Sequence, residues 1–195
     1  MPIESAADLI VALLYSPGKS DQPGEEVRGI TRLEKLVFLL LKEARFERQL
    51  GDEFSFEAYD FGPYSGTVID VLDALRGEDL VRATKIESAS LKEVADGLIA
   101  AQVAGEVEGA PPKTVLLYGL TDRGKRVGQA VFQSLSREER EALNSLKSRY
   151  NSMNLSDLLE YVYKRYPKMI HKSKILDQVL GFGARPTLPS QEEED

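Results

Sequence analysis

At 195 residues the chain is long enough for one domain with extras or for two small ones, and 42% apolar with 29% charged content is that of a globular protein rather than a disordered one. The absence of cysteine excludes disulfides, thiolate nucleophiles and Cys-based metal sites. A net charge of −7 and a pI near 5.0 argue against a dedicated non-specific nucleic-acid binder, although local basic patches can outweigh the sum. No apolar run reaches the ~18 residues that a membrane span needs. The N-terminus lacks the basic and apolar pattern of a signal peptide, so the expected compartment is the cytoplasm, with no membrane partner.

Ser5 to Tyr15 is predicted as a short helix, with Ser5 and Asp8 at capping-box spacing and Leu9, Ile10, Leu13 and Leu14 on one face. Residues 16–29 carry prolines, glycines and charges and read as a loop. Thr31 and Glu34 have the spacing of a capping box for a central helix running to Arg48, with an apolar stripe through Leu33, Leu36, Val37, Leu40, Leu41 and Ala44. Phe38 and Leu39 widen that stripe, so the helix is expected to be covered on most sides.

The stretch from Phe54 to Leu80 organises the rest. Phe54, Phe56 and Ala58 alternate with polar residues as in a half-buried strand, which ends at a Gly-Pro turn. Pro63 is placed at the first position of the next helix, where its missing N–H would be an orphan anyway. Tyr64, Val68, Val71, Leu72 and Leu75 form the buried stripe of that helix, which stops near Gly77. A strand follows, ending near Ile86, and residues 88–104 form a further amphipathic helical segment before an acidic loop. Thr114 to Leu120 is β-branched and apolar, a second strand. Thr121 caps a helix from Asp122 to about Ser134, with Val127, Ala130 and Val131 expected inward. Ser136 and Glu139 cap a charged helix to Tyr150, and Asn154 opens another that Pro167 stops. Residues 173–180 suit a last short helix, and residues 184–195 form an acidic tail expected to be disordered.

Two helices, an aromatic turn, a third helix, two strands and a terminal helix are the order of a winged helix. The expected fold class is therefore mainly α with a small β wing (α+β). Residues 1–135 would be a winged helix-turn-helix-like domain with an inserted helix at about 88–104, residues 136–183 a C-terminal helical extension and 184–195 the tail. RLEKLVFLLLKE (32–43), YDFGPYS (59–65), YGLTDRG (118–124) and LLEYVYKRYP (158–167) together resemble a group of prokaryotic winged-helix-like proteins related to the SocA-like (Panacea) antitoxin domain group. The resemblance runs in order over roughly residues 30 to 170. It implies a non-enzymatic regulator or an antitoxin-like binding module and carries over no site residues.

No convergent catalytic constellation emerges, and no cofactor or metal is expected. Asp60-Phe61-Gly62 has the letters of the kinase magnesium motif but none of its partner motifs, so it reads as a turn. Gly119 to Arg126 comes within one residue of a P-loop, with Arg126 in place of the magnesium-binding hydroxyl. His171 is the only histidine and has no ligand cluster spaced for it. Asp70 and Asp73 sit three apart on a polar helix face, and Tyr59 and Tyr64 flank the turn. These four are the candidate contacts to a protein partner with a basic surface, such as a toxin.

The nucleic-acid case turns on charge placement. The helix after Pro63 holds Asp70, Asp73, Glu78 and Asp79 against the single cation Arg76, an acidic face ill-suited to a DNA groove. Candidate phosphate contacts lie elsewhere: Arg32 and Lys35 on the central helix, Arg123, Lys125 and Arg126 by the wing, and Lys164, Arg165, Lys168, Lys172 and Lys174 interleaved with tyrosines. Sequence alone leans to a DNA-binding transcriptional regulator acting as a homodimer. An antitoxin-like or adaptor protein acting by protein–protein binding is the alternative.

Overall fold

The structure is a computed structural model that describes residues 3–44, 46–87 and 114–180. The inserted helix expected at 88–104 and the acidic tail at 184–195 lie outside the described residues.

The chain is α+β. In order it forms α1 (Ala6–Tyr15), β1 (Val27–Arg28), α2 (Ile30–Glu43), α3 (Glu47–Leu50), β2 (Glu57–Tyr59), β3 (Gly62–Tyr64), α4 (Gly66–Gly77), β4 (Val81–Glu87), β5 (Thr114–Leu120), α5 (Asp122–Ser134), α6 (Arg137–Tyr150) and α7 (Leu155–Arg165). A 3-10 turn (Pro167–Met169) and α8 (Leu176–Leu180) follow. One antiparallel sheet has the order β1-β5-β4, and β2 and β3 make a separate hairpin.

Side-chain caps open three of the helices, whereas Asn154, expected to cap α7, makes no side-chain cap bond. The Ser5 hydroxyl accepts the Asp8 N–H at 3.1 Å, and the Thr121 hydroxyl accepts the Gly124 N–H at 3.0 Å. Ser136 and Glu139 form a complete reciprocal capping box at 3.2 and 2.8 Å. The expected box at Thr31 and Glu34 does not form. α2 begins one residue earlier, after Gly29, with no side-chain cap. Gly29 has φ +81° and its N–H is tied to the Leu116 carbonyl of β5 at 2.8 Å, so the sheet, not a cap, launches the helix. The predicted extension to Arg48 is likewise split, because the helix ends at Glu43 and a single short turn follows.

α2 is the centre of the molecule. Every residue from Thr31 to Leu41 is buried. α1 is nearly as enclosed, with Leu9 to Leu14 buried without interruption. α6 and α7 bury Leu143, Leu146, Tyr150, Leu158, Leu159 and Val162 in the same core. Against α1 lies α5, whose inward face differs from expectation. Val127 is 38% exposed, Ala130 is exposed and Val131 is half-buried, while Gly124 and Gly128 are the buried positions. A Cβ at Gly124 would land on the Leu80 carbonyl, and one at Gly128 would lie 2.8 Å from the Tyr15 Cβ. The glycines let α5 approach too closely for side chains, which accounts for Gly124 without any phosphate.

Candidate functional site

Asp60 and Phe61 form the turn between β2 and β3, whose register pairs Tyr59 with Gly62 and Ala58 with Pro63. Gly62 has φ +85°, and a Cβ there would sit 2.8 Å from the Tyr163 ring, so both the turn and the packing require glycine. The DFG letters are thus a hairpin tip. Pro63 lies in β3 rather than at the start of a helix, and α4 begins after Ser65. Proline fits this strand because its carbonyl, not an N–H, is used: it accepts the Lys35 ammonium at 2.9 Å.

The hairpin stands over the first turns of α2 and leaves a cleft of about 190 Å³ between them. α2 contributes Ile30, Thr31, Glu34 and Lys35, the hairpin contributes Tyr59, Phe61, Gly62 and Tyr64, and α4 contributes Ile69. The walls are mainly apolar, and the Tyr59 and Tyr64 rings pack with centroids 5.0 Å apart. Tyr59 remains 47% exposed at the rim.

Two ionisable groups sit in this apolar setting. Glu34 is 6% exposed and Lys35 1% exposed, with the Lys35 Nζ 3.6 Å from one Glu34 oxygen. The other oxygen, Oε1, is buried without a hydrogen-bond partner. Desolvation pushes the Glu34 carboxyl up and the Lys35 ammonium down, each partly offset by the charge of the other. A buried carboxylate oxygen with no donor from the protein is costly.

The C-terminal segment braces the hairpin from outside. The Lys174 N–H donates to the Asp60 carbonyl at 2.9 Å, the Ser173 hydroxyl donates to the same oxygen at 3.2 Å, and the Lys174 ammonium pairs with the Asp60 carboxylate. Beneath it Tyr163 is buried, its hydroxyl 2.7 Å from that of Ser173, and burial pushes its pKa up to about 12.

The protein-contact candidates therefore divide by place. Tyr59 and Tyr64 line the cleft, and Ile69 beside Asp70 brings α4 to its edge. Asp70 and Asp73 are exposed, as are Glu78 and Asp79, and the one cation of this helix, Arg76, is paired to Asp73 at 3.0 Å.

The basic candidates scatter. Arg32 and Lys35, expected on an outward face, are buried. Arg32 donates to the carbonyls of Tyr150, Asn151 and Met153 at 3.1, 3.2 and 2.7 Å, closing the end of α6, and Lys35 serves Pro63. Neither presents a charge for phosphate contact, because neighbouring elements cover α2 and their carbonyls need donors. Arg123 donates to the Glu78 carbonyl at 2.7 Å, Lys125 lies 3.6 Å from Asp122, and Arg126 is exposed. Lys164 pairs with Glu160, and Arg165, Lys168 and Lys172 are exposed.

The tyrosines interleaved with those cations are not a free stacking platform. Tyr161 and Tyr166 donate to Glu43 Oε1 at 2.7 and 3.1 Å, and Tyr150 donates to Oε2 at 3.1 Å. Burial, with the Glu43 charge, holds the Tyr150 and Tyr166 hydroxyls above the usual phenol range. The Arg149 guanidinium lies over the Tyr150 and Tyr161 rings at 5.0 and 5.6 Å.

Glu34, Glu43 and Lys147 carry much of the polar architecture; sequence reading took Glu34 only as half of a capping box and did not single out Glu43 or Lys147. Lys147 had a signal: it shares the inward stripe of Leu143, Leu146 and Tyr150 on α6. It is buried and donates to the Leu14 and Ser16 carbonyls at 3.1 and 2.7 Å, closing the end of α1, and desolvation lowers its pKa to about 7. His171 is exposed, with Nδ1 3.0 Å from the Lys168 carbonyl, and among the described residues no cluster of metal-ligating side chains forms. Among the described residues no helix is long and apolar enough to cross a membrane. No family model, curated protein or solved structure matches the chain.

Proposed function

We propose that the chain is a non-enzymatic regulatory module of winged-helix type that acts by binding a protein partner with a basic surface, in the manner of an antitoxin or adaptor. The order α1-β1-α2-α4-β4-β5, with β1-β5-β4 in one sheet, supports the winged-helix reading. The observation that carries the functional reading is the outward face of α4. In a winged helix this helix would enter the major groove, yet its exposed charged side chains are Asp70, Asp73 and Arg76, with Glu78 and Asp79 just beyond, and Arg76 is already paired with Asp73. Such a face repels phosphates and attracts cations.

The test is capture from the native host by the tagged chain, compared with a D70K/D73K variant. Both residues are exposed, so folding should be kept. A specific partner retained by the parent and lost by the variant is the expected result. Equal retention would remove α4 from the interface and overturn the reading.

A DNA-binding regulator is the second reading, favoured by Arg165, Lys168 and Lys172, which are exposed and make no ion pair among the described residues. It requires duplex binding that weakens steeply with salt and whose salt dependence shrinks when these three are replaced.

A further inference from the structure

We infer that the hairpin cleft is an anchor pocket for one aromatic side chain bearing a single hydrogen-bond donor, a tryptophan or tyrosine of the protein partner, with its N–H or O–H donated to Glu34. This deepens the protein-binding reading and rests on it for the source of the side chain.

Three observations carry the inference. The first is size. Pockets for metabolites and drug-like ligands run to roughly 300–1,000 Å³, and a cleft of about 190 Å³ suits a single side chain better. The second is the wall. Tyr59, Phe61, Tyr64 and Ile69 give an apolar and largely aromatic lining, on which a flat ring gains packing in stacked or edge-on contact. The exposed rim residue Tyr59 is placed to close over such a ring.

The third is the polar complement. Glu34 lines the cleft, is all but covered, and has one oxygen with no donor. Its charge is already balanced by Lys35 at 3.6 Å. A second cation brought here would meet the Lys35 ammonium, whereas a neutral donor meets only the orphan acceptor. Lys35 is meanwhile held beside the carboxylate by the Pro63 carbonyl at 2.9 Å, and on binding a small turn of the Glu34 carboxylate would bring its covered oxygen to the cleft. Apolar body plus one neutral donor describes indole and phenol among protein side chains. Tryptophan and tyrosine are also the residues that most often anchor interfaces from within a desolvated pocket. Asp70, next to the cleft-wall residue Ile69, and Asp73, one helix turn on, would then engage basic residues flanking the anchor.

The experiment is a titration of the full isotope-labelled chain, followed by amide correlation spectra. The probes are indole, 1-methylindole, n-butylammonium and N-acetyl-tryptophanamide. Indole is expected to give saturable shifts at Gly62, Tyr64 and the Ile30 to Lys35 turn of α2. 1-Methylindole keeps the ring and loses the donor, so it should bind at least ~10-fold more weakly, the loss of a hydrogen bond to a charged group. Equal binding of the two indoles, tighter binding of n-butylammonium, or no saturable shift at the cleft would each overturn the inference. N-acetyl-tryptophanamide separates the sources: binding at the cleft supports a side-chain anchor, and its exclusion while indole binds makes the cleft a small-molecule site and overturns the partner assignment. In Glu34→Met, which removes the acceptor, the difference between indole and 1-methylindole should collapse. Should that variant fail to fold, the unmutated chain with the two indoles still decides. Failure to capture any partner through α4, with indole still bound at the cleft, would sink the proposed function and leave the donor site standing.

Discussion

Glu34 and Glu43 belong to the same helix, α2, and meet opposite fates. Glu43, at the exposed C-terminal end, could be served by water, yet three tyrosine hydroxyls from α6, α7 and the residue after α7 converge on it. Glu34, near the N-terminal end, is all but covered and has one oxygen with no hydrogen-bond partner among the protein's own groups. A carboxylate that takes three hydroxyls from two other helices and the residue beyond is a fastener. An unsaturated one in an apolar cleft leaves an acceptor to which a donor from outside can be added. This contrast, rather than the abundance of charge on the surface, locates the site.

Lys147 supplies the sharpest test of how buried charge behaves between these extremes, because it donates to two carbonyls and still pays for desolvation. The unfolded chain holds this proton up to about pH 10.4, whereas the folded chain releases it near pH 7. Between those values the unfolded state binds more protons, so stability rises with pH across that window. In denaturant titrations the stability of the parent relative to Lys147→Met should climb from pH 7 to 10, by up to about 1.4 kcal/mol per pH unit where steepest. A difference that stays level with pH would show that the lysine is not desolvated as described.

A smaller effect is expected at the fastener. Glu43→Ala removes the acceptor of three hydroxyls, two of them able to turn to water, and should lower stability by about 1–2 kcal/mol. The mark of the mechanism is non-additivity: with Tyr161→Phe and Tyr166→Phe already in place, the Glu43→Ala loss should shrink. Full additivity in that cycle would show that the hydroxyls and the carboxylate do not act together.

The smallest change is expected at the unfinished site. Replacing the pair by Glu34→Met and Lys35→Met removes two desolvated charges at similar volume, and stability should stay within about 1 kcal/mol of the parent. Indole binding should be lost in the same protein. A loss of more than about 3 kcal/mol would make the pair a structural fastener like Glu43 and erase the distinction.

Much of this fold was legible in the sequence because helix signals are local. Ser5, Thr121 and the Ser136–Glu139 box act over three residues, and the structure keeps all of them. β5 and α5 also fall at the expected residues. Where the same logic failed, a distant element had intervened. Gly29 is held by β5, which displaced the box at Thr31. Pro63 carries helix-start chemistry, but its carbonyl is claimed by Lys35 and its strand by Ala58. The periodicity of α5 pointed to its valines, while the close approach of Tyr15 and the Leu80 carbonyl left room only for glycine.

The candidate site was half legible. Tyr59, Tyr64 and the acidic run of α4 stand out from composition and spacing alone. Arg32 and Lys35 look like surface cations by the same measure, and only the covering elements turn them inward.

By itself the sequence determined the α+β class, where most helices begin and end, and the sign of charge on α4, because caps, periodicity and local composition act within a few residues. Tertiary structure alone decided which polar groups are satisfied. The three carbonyls that hold Arg32 come from 118 to 121 residues away and the hydroxyls on Glu43 from 107 to 123. The orphan oxygen of Glu34 is defined by the absence of such an arrival, and no local pattern records whether a distant donor comes.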